Sequence, residues 1–226
     1  MKNNALRTII CAVIVAAFAN TAHASYIIES WLVPGTDAPW LGGTEAVAPV
    51  PTTGLDATAT SGTVNFMNPA GSGSLMNFLL SDPTTSLSTC TTVTVGAVTY
   101  NCATQVMSTG TDTTQSPTTY GQILEITGTA LFTGGTTYSI THDDGITVTL
   151  DGSTVISSPG PQSASVSTFT TTSGLHTINI VYGECCGNPA DLITNLPASI
   201  PEPNTMAFMA LGLAGVLAGL RRRRRT

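Results

Sequence analysis

The sequence predicts an all-β protein, a single antiparallel β-sandwich of jelly-roll type, on three observations. Thr, Ser, Val and Gly dominate the centre of the chain and recur as short runs between turn residues, the composition of strands. No heptads, long amphipathic helices or internal repeats stand out among them. The spacing of the runs is that of a sandwich, and 226 residues give room for one good-sized domain.

The expected strands, in order, are Tyr26–Val33, Ala57–Phe66, Leu75–Leu80, Thr91–Tyr100, Gln122–Phe132, Thr137–His142, Ile146–Leu150, Ser165–Thr171 and Leu175–Tyr182. Pro34–Pro51, rich in Pro and Gly, reads as a long surface loop, and Thr109–Thr119 as a second. The clearest local pattern is a meander. Tyr138 and Ile140 alternate with polar residues, Asp144-Gly145 offers a tight turn, and Ile146, Val148 and Leu150 alternate again. Asp151-Gly152 then offers a second turn before Val155.

The fixed positive charge lies at the two ends. Lys2 and Arg7 precede the apolar run Ile9–Ala19, which leads to the small-x-small site Ala22-His23-Ala24. This is the three-part pattern of a cleaved signal peptide over residues 1–24, recognised by signal peptidase, and the mature chain is expected to begin at Ser25. At the other end Arg221, Arg222, Arg223, Arg224 and Arg225 follow the apolar run Met206–Leu220, roughly 22 Å long as a helix. Arginine side chains snorkel to headgroups, so residues 205–220 are expected to form a transmembrane helix with the arginines cytoplasmic. Residues 25–200 contain no Lys or Arg and are expected outside the cytoplasm as the β-sandwich domain.

That charge distribution excludes partners. Nucleic acid needs Lys and Arg to meet its phosphates, and the domain has none. Of the 13 acidic residues only Glu202 lies outside residues 25–200, which favours divalent cations as partners, although solubility accounts for the same acidity. Catalysis is not expected. No Gly-x-Ser-x-Gly elbow occurs, His142 and His176 are isolated on predicted strands, and residues 25–200 have no Lys or Arg to hold an anionic substrate.

Four cysteines remain after signal removal, in an oxidising compartment. Cys90 and Cys102 flank Thr91–Tyr100, with Gly96 near its middle, and favour a bridged hairpin. Cys185 and Cys186 then pair as neighbours or stay reduced, while a crossed connectivity between the two sets is the alternative. Trp31 reads as core. Trp40, in the Pro/Gly loop, is a candidate surface for stacking against a sugar ring.

Pro201-Glu202-Pro203, the run Leu211-Gly212-Leu213-Ala214-Gly215 and the arginine block resemble the PEP-CTERM tail of bacterial proteins processed by exosortases. The resemblance covers residues 201–226. It implies an exosortase partner, transient membrane anchoring, and sorting to the cell surface or an extracellular matrix of exopolysaccharide.

A second resemblance covers residues 119–197. Tyr138-Ser139-Ile140-Thr141-His142-Asp143-Asp144-Gly145, Leu150-Asp151-Gly152, Gly174-Leu175-His176-Thr177-Ile178 and Val181-Tyr182-Gly183-Glu184 are similar to the protective-antigen-type β-sandwich of toxins, glycosidases and flocculins. In flocculins two consecutive aspartates joined by a cis peptide bind calcium, which bridges to sugar hydroxyls. The resemblance therefore implies Ca2+ as cofactor, with Asp143 and Asp144 as ligands. A later loop of that family corresponds to Glu184–Asp191, making Asn188 the next candidate and Glu184 or Asp191 weaker ones. Exopolysaccharide or a cell-surface glycan is the implied partner. A plain hairpin turn at Asp143-Asp144-Gly145 is the competing reading.

Overall fold

The computed structural model describes residues 25–34, 46–47, 50–68, 73–109, 119–185 and 189–200. Within them the chain order is β1 (Tyr26–Pro34), β2 (Leu55–Ser61), β3 (Asn65–Asn68), α1 (Leu75–Leu79), β4 (Ser86–Cys90), β5 (Thr92–Val95) and β6 (Val98–Asn101). There follow β7 (Tyr120–Phe132), β8 (Thr137–Asp143), β9 (Gly145–Leu150), β10 (Ser153–Ser158), β11 (Ser165–Thr170), β12 (Gly174–Glu184) and β13 (Ala190–Thr194). A seven-stranded sheet runs β10-β9-β12-β7-β1-β2-β4, a four-stranded sheet runs β11-β8-β13-β3, and β5-β6 is a separate hairpin. Every strand pairing is antiparallel. The predicted sandwich is thus present, and Ser25–Ser199 is one compact unit.

The core lies between the sheets. Alternation along β1 and β7 turns Ile28, Leu32, Leu124, Ile126 and Phe132 inward, where they meet Phe66, Tyr138, Ile140 and Leu192 of the other sheet. Phe132 and Tyr138 pack edge to face at 4.9 Å. A second, smaller cluster covers the opposite face of the large sheet at one end: Val33, Ile123, Val181 and Cys185 under Ala46 and Val50. Ala46 is wholly buried, so this part of the expected Pro34–Pro51 surface loop is packed against the sheet. Its other described residues are Pro34, which ends β1, and Val47, Val50 and Pro51; the remainder, with most of Thr109–Thr119, lies outside the described residues. Trp31 is buried, as expected.

Three expectations are corrected. The run Ala57–Phe66 is two strands in different sheets, because the 82–84 loop captures the backbone between them. Asp82 Oδ2 accepts from Asn65 N at 3.2 Å, and Thr84 Oγ1 accepts from Gly62 N at 3.1 Å. Leu75–Leu80 is a helical turn and not a strand. Ser74 caps it by accepting from Asn77 N at 3.2 Å, and Leu75, Phe78 and Leu79 are buried at helical spacing. The expected meander also breaks at its first turn: β8 pairs with β11 and β13, whereas β9 pairs with β10 and β12. Asp144 is the single residue between β8 and β9, where the chain passes from one sheet to the other. The second turn is as expected, with Asp151 at φ +49° and Gly152 at φ +78° closing the β9–β10 hairpin.

Cys90 and Cys102 form a disulfide that ties β4 to the end of the β5–β6 hairpin. Cys185 is also disulfide-bonded, to a partner outside the described residues. Cys186 itself lies outside them. A buried polar knot interrupts the core: Gln122 Nε2 donates to Ser30 Oγ at 2.6 Å and to the Asp56 carboxylate at 2.8 and 2.9 Å. Gln122 Oε1 has no hydrogen-bond partner there among the described residues. Burial raises the Asp56 carboxyl to about 7, against the hydrogen bond from Gln122, which lowers it.

β7 and β12 are the longest strands and pair along the whole of β12, from Gly174↔Phe132 to Glu184↔Gln122. At the Gly183 end they meet Gly145 of β9, next to Asp144. Toward the other end Ser199 bridges to Ala130, and Tyr26 Oη donates to the Pro197 carbonyl at 2.7 Å. The seven residue steps from Ile123 to Ala130 put roughly 23 Å between these positions along the strand.

Candidate functional site

The aspartate pair occupies the sheet switch, and the Asp143–Asp144 peptide bond is cis, as the flocculin resemblance implied. It is not the turn of a hairpin, since the strands on either side of it belong to different sheets.

Each aspartate is held by its own set of contacts. Asp144 is buried. Its Oδ1 accepts from Gln162 N at 3.0 Å, and its Oδ2 accepts from Cys185 N at 3.0 Å. These bonds tie the sheet switch to the segment after β10 and to the end of β12. His142, also buried and kept neutral by its desolvation, donates from Nδ1 to the Asp144 carbonyl at 2.7 Å. Its Nε2 accepts from the Ser167 hydroxyl at 2.9 Å. Gln162 Nε2 donates to Ser158 Oγ at 2.9 Å, which fixes the segment that grips Asp144. Asp143 is partly exposed. Burial raises its carboxyl, a backbone hydrogen bond from Ala164 opposes that, and nearby Asp191 adds to the rise. Asp191 stands opposite Asp143 in the β8–β13 register, and burial raises its carboxyl as well.

Beneath the pair lies Glu184, wholly buried. Its Oε2 lies 2.9 Å from the Tyr182 hydroxyl and its Oε1 accepts from Ser108 Oγ at 3.3 Å. Burial, reinforced first by the Asp144 charge, pushes its carboxyl well above the usual carboxylate range. The Tyr182 hydroxyl also bonds to the Asp143 carbonyl. The site floor is therefore a stack of acids with no Lys or Arg in residues 25–200 to balance them.

The structure brings Asp143, Asp144, Asp191 and Glu184 to one end of the sandwich. Among the described residues, however, no group of three or more His, Cys, Asp or Glu side chains is arranged to hold a metal ion. Asn188 and Trp40 lie outside the described residues, as do Pro201, Glu202, Pro203 and the arginines. Sequence reading placed His142 on a strand face and passed over Gln162, Ser108 and Tyr182. Of these, only Tyr182, two residues before Glu184 on the same strand face, offered a periodicity signal.

Close to Asp144, Gly145 is fixed by space. A Cβ there would lie 2.3 Å from the Pro159 carbonyl oxygen, which itself accepts from Ala46 N at 3.2 Å.

The fold is that of a PA14 domain. The chain is similar to a PA14 sugar-binding domain from an RTX adhesin at 22% identity, with 79% of this chain and 99% of that one covered and a TM-score of 0.50. It also resembles the PA14 domain of the antifreeze protein MpAFP, at 19% identity over 77% of this chain and 81% of that one, with a TM-score of 0.48. Part of the GH31 α-xylosidase of Xanthomonas citri matches more weakly, at 10% identity over 77% of this chain and 15% of that one, TM-score 0.38. No curated protein matches the chain. Residues 199–225 match the PEP-CTERM protein-sorting motif. The chain therefore carries the sorting signal of an exported, exosortase-processed protein.

Proposed function

We propose that this is a non-catalytic carbohydrate-binding module, exported to the cell surface or matrix, which takes calcium at Asp143 and Asp144 and binds exopolysaccharide through it. One observation carries the reading: the paired aspartates occupy the crossing between two sheets in a fold shared with a sugar-binding domain. Calcium favours carboxylate and carbonyl oxygens and completes its shell with further oxygen atoms. Asp143 and Asp144 supply the first two side chains, Asn188 the next, and vicinal sugar hydroxyls the open positions. Trp40 adds an aromatic face for the sugar ring. Calcium also suits an acidic end that no Lys or Arg neutralises.

Calorimetric titration of the purified protein with calcium, followed by glycan binding with and without chelator, tests this. The expected result is saturable calcium binding that Asp143→Asn weakens by roughly tenfold or more, and glycan retention that the chelator abolishes. A protein that binds neither calcium nor glycan is a structural matrix or adhesion component instead. Release of reducing sugar from polysaccharide would show an enzyme.

A further inference from the structure

Tyr182 poses a problem of hydrogen counting. Its buried hydroxyl meets two acceptors, the main-chain carbonyl of Asp143 and Oε2 of Glu184. A phenol carries one hydroxyl hydrogen, and a carbonyl carries none. If the tyrosine hydrogen went to Glu184, the Asp143 carbonyl would face a phenol oxygen, lone pair against lone pair. Glu184 would then be a wholly buried anion near Asp143 and Asp144, supported only by neutral hydroxyls. Both arrangements are costly.

We propose that Glu184 is a neutral carboxylic acid and a positioning residue: it donates through Oε2 to Tyr182, which frees the tyrosine hydrogen for the Asp143 carbonyl. Every contact in the group is then satisfied in one direction. Ser108 donates to Oε1, the carbonyl-like oxygen of the acid, at 3.3 Å. Oε2–H donates to Tyr182, and Tyr182 donates to the peptide that joins the two aspartates. The stacked rings of Phe78 and Tyr182, 5.9 Å apart, fix where the phenol points. Glu184 thereby acts on the aspartate pair as a strut, with its two oxygens engaged by Ser108 and Tyr182. Its proton also keeps one negative charge out of the acidic floor.

The proton is tested without reference to any ligand. Infrared difference spectra of the full-length protein at neutral pH, wild type minus Glu184→Gln, are expected to contain a protonated-carboxyl C=O band from Glu184. A difference spectrum with a carboxylate pair in its place overturns the proposal. The strut is tested through calcium affinity, an arm that rests on the function proposed above. Tyr182→Phe keeps the ring stack and is expected to weaken calcium binding roughly tenfold. Glu184→Leu is expected to weaken it in the same direction. Glu184→Gln, whose amide can donate to Tyr182 and accept from Ser108, is expected to restore most of what Glu184→Leu loses. A glutamine no better than leucine overturns the strut. If the wild type binds no calcium, the proposed function fails, and the infrared band alone decides the proton.

Discussion

The Ser30–Asp56–Gln122 knot shows how much one residue can cost a fold. Folding raises the Asp56 carboxyl from 3.8 to about 7, so between those values the folded chain binds more protons than the unfolded one. Stability therefore falls as pH climbs through that window. Asp56→Asn removes the slope. It is expected to stabilise the protein by roughly 2–4 kcal/mol at about pH 8 and to give no such gain at about pH 4, as read from denaturant unfolding at both values. An Asp56→Asn effect of equal size at the two pH values would show that Asp56 does not titrate in this way. At this scale the sequence was a partial guide. Asp143 and Asp144 stood out because they match the consecutive aspartates of the flocculin resemblance. His142, Gln162 and Asp56 did not, because what matters in each is a partner 2 to 66 residues away.

Among the elements, the sheet switch depends on Gly145 as much as on the aspartates. Its missing side chain lets β9 start against the Pro159 carbonyl, and Ala46 is hydrogen-bonded to that same oxygen. Gly145→Ala must displace main chain, so it is expected to cost about 2–3 kcal/mol in thermal or denaturant unfolding. It is also expected to shift the backbone resonances of Asp144 and Gln162. A variant as stable as wild type would mean that the 159–160 segment yields easily. Period-two alternation made β1, β7, β8, β9 and β12 legible, along with the Asp151-Gly152 turn. It misread Leu75–Leu80, where a short apolar run fits either period until a cap decides it. Alternation also joined β2 to β3 and β8 to β9, since a pattern of buried faces says nothing about which sheet a strand enters. Strands β4 and β13 went unexpected because each is only five residues long.

For the whole molecule, the absence of Lys and Arg between residues 25 and 200 leaves self-repulsion that only small cations can relieve. Raising monovalent salt from about 0.02 to about 0.5 M is expected to lift the melting temperature by a few degrees through screening. Calcium is expected to do so at millimolar levels, with an Asp143→Asn-sensitive part on top. Melting that ignores both would remove repulsion as a term in stability. Export was the most legible property of all, because it is written in contiguous residues at the chain ends and needs no folding to be read.

The attachments proposed for the domain, a glycan at the aspartates and the C-terminal tail, also determine how it would bear load. Tension applied beyond residue 199 enters the large sheet at Ala130, while anything grasped at the aspartates pulls near Gly145 and Gly183, at the far end of the same strands. The line between them follows β7 and β12, whose ladder runs unbroken across all of β12. Such a pull slides the strands lengthwise and loads their hydrogen bonds together, so the sandwich resists tearing as a lap joint does, not as a zip opens.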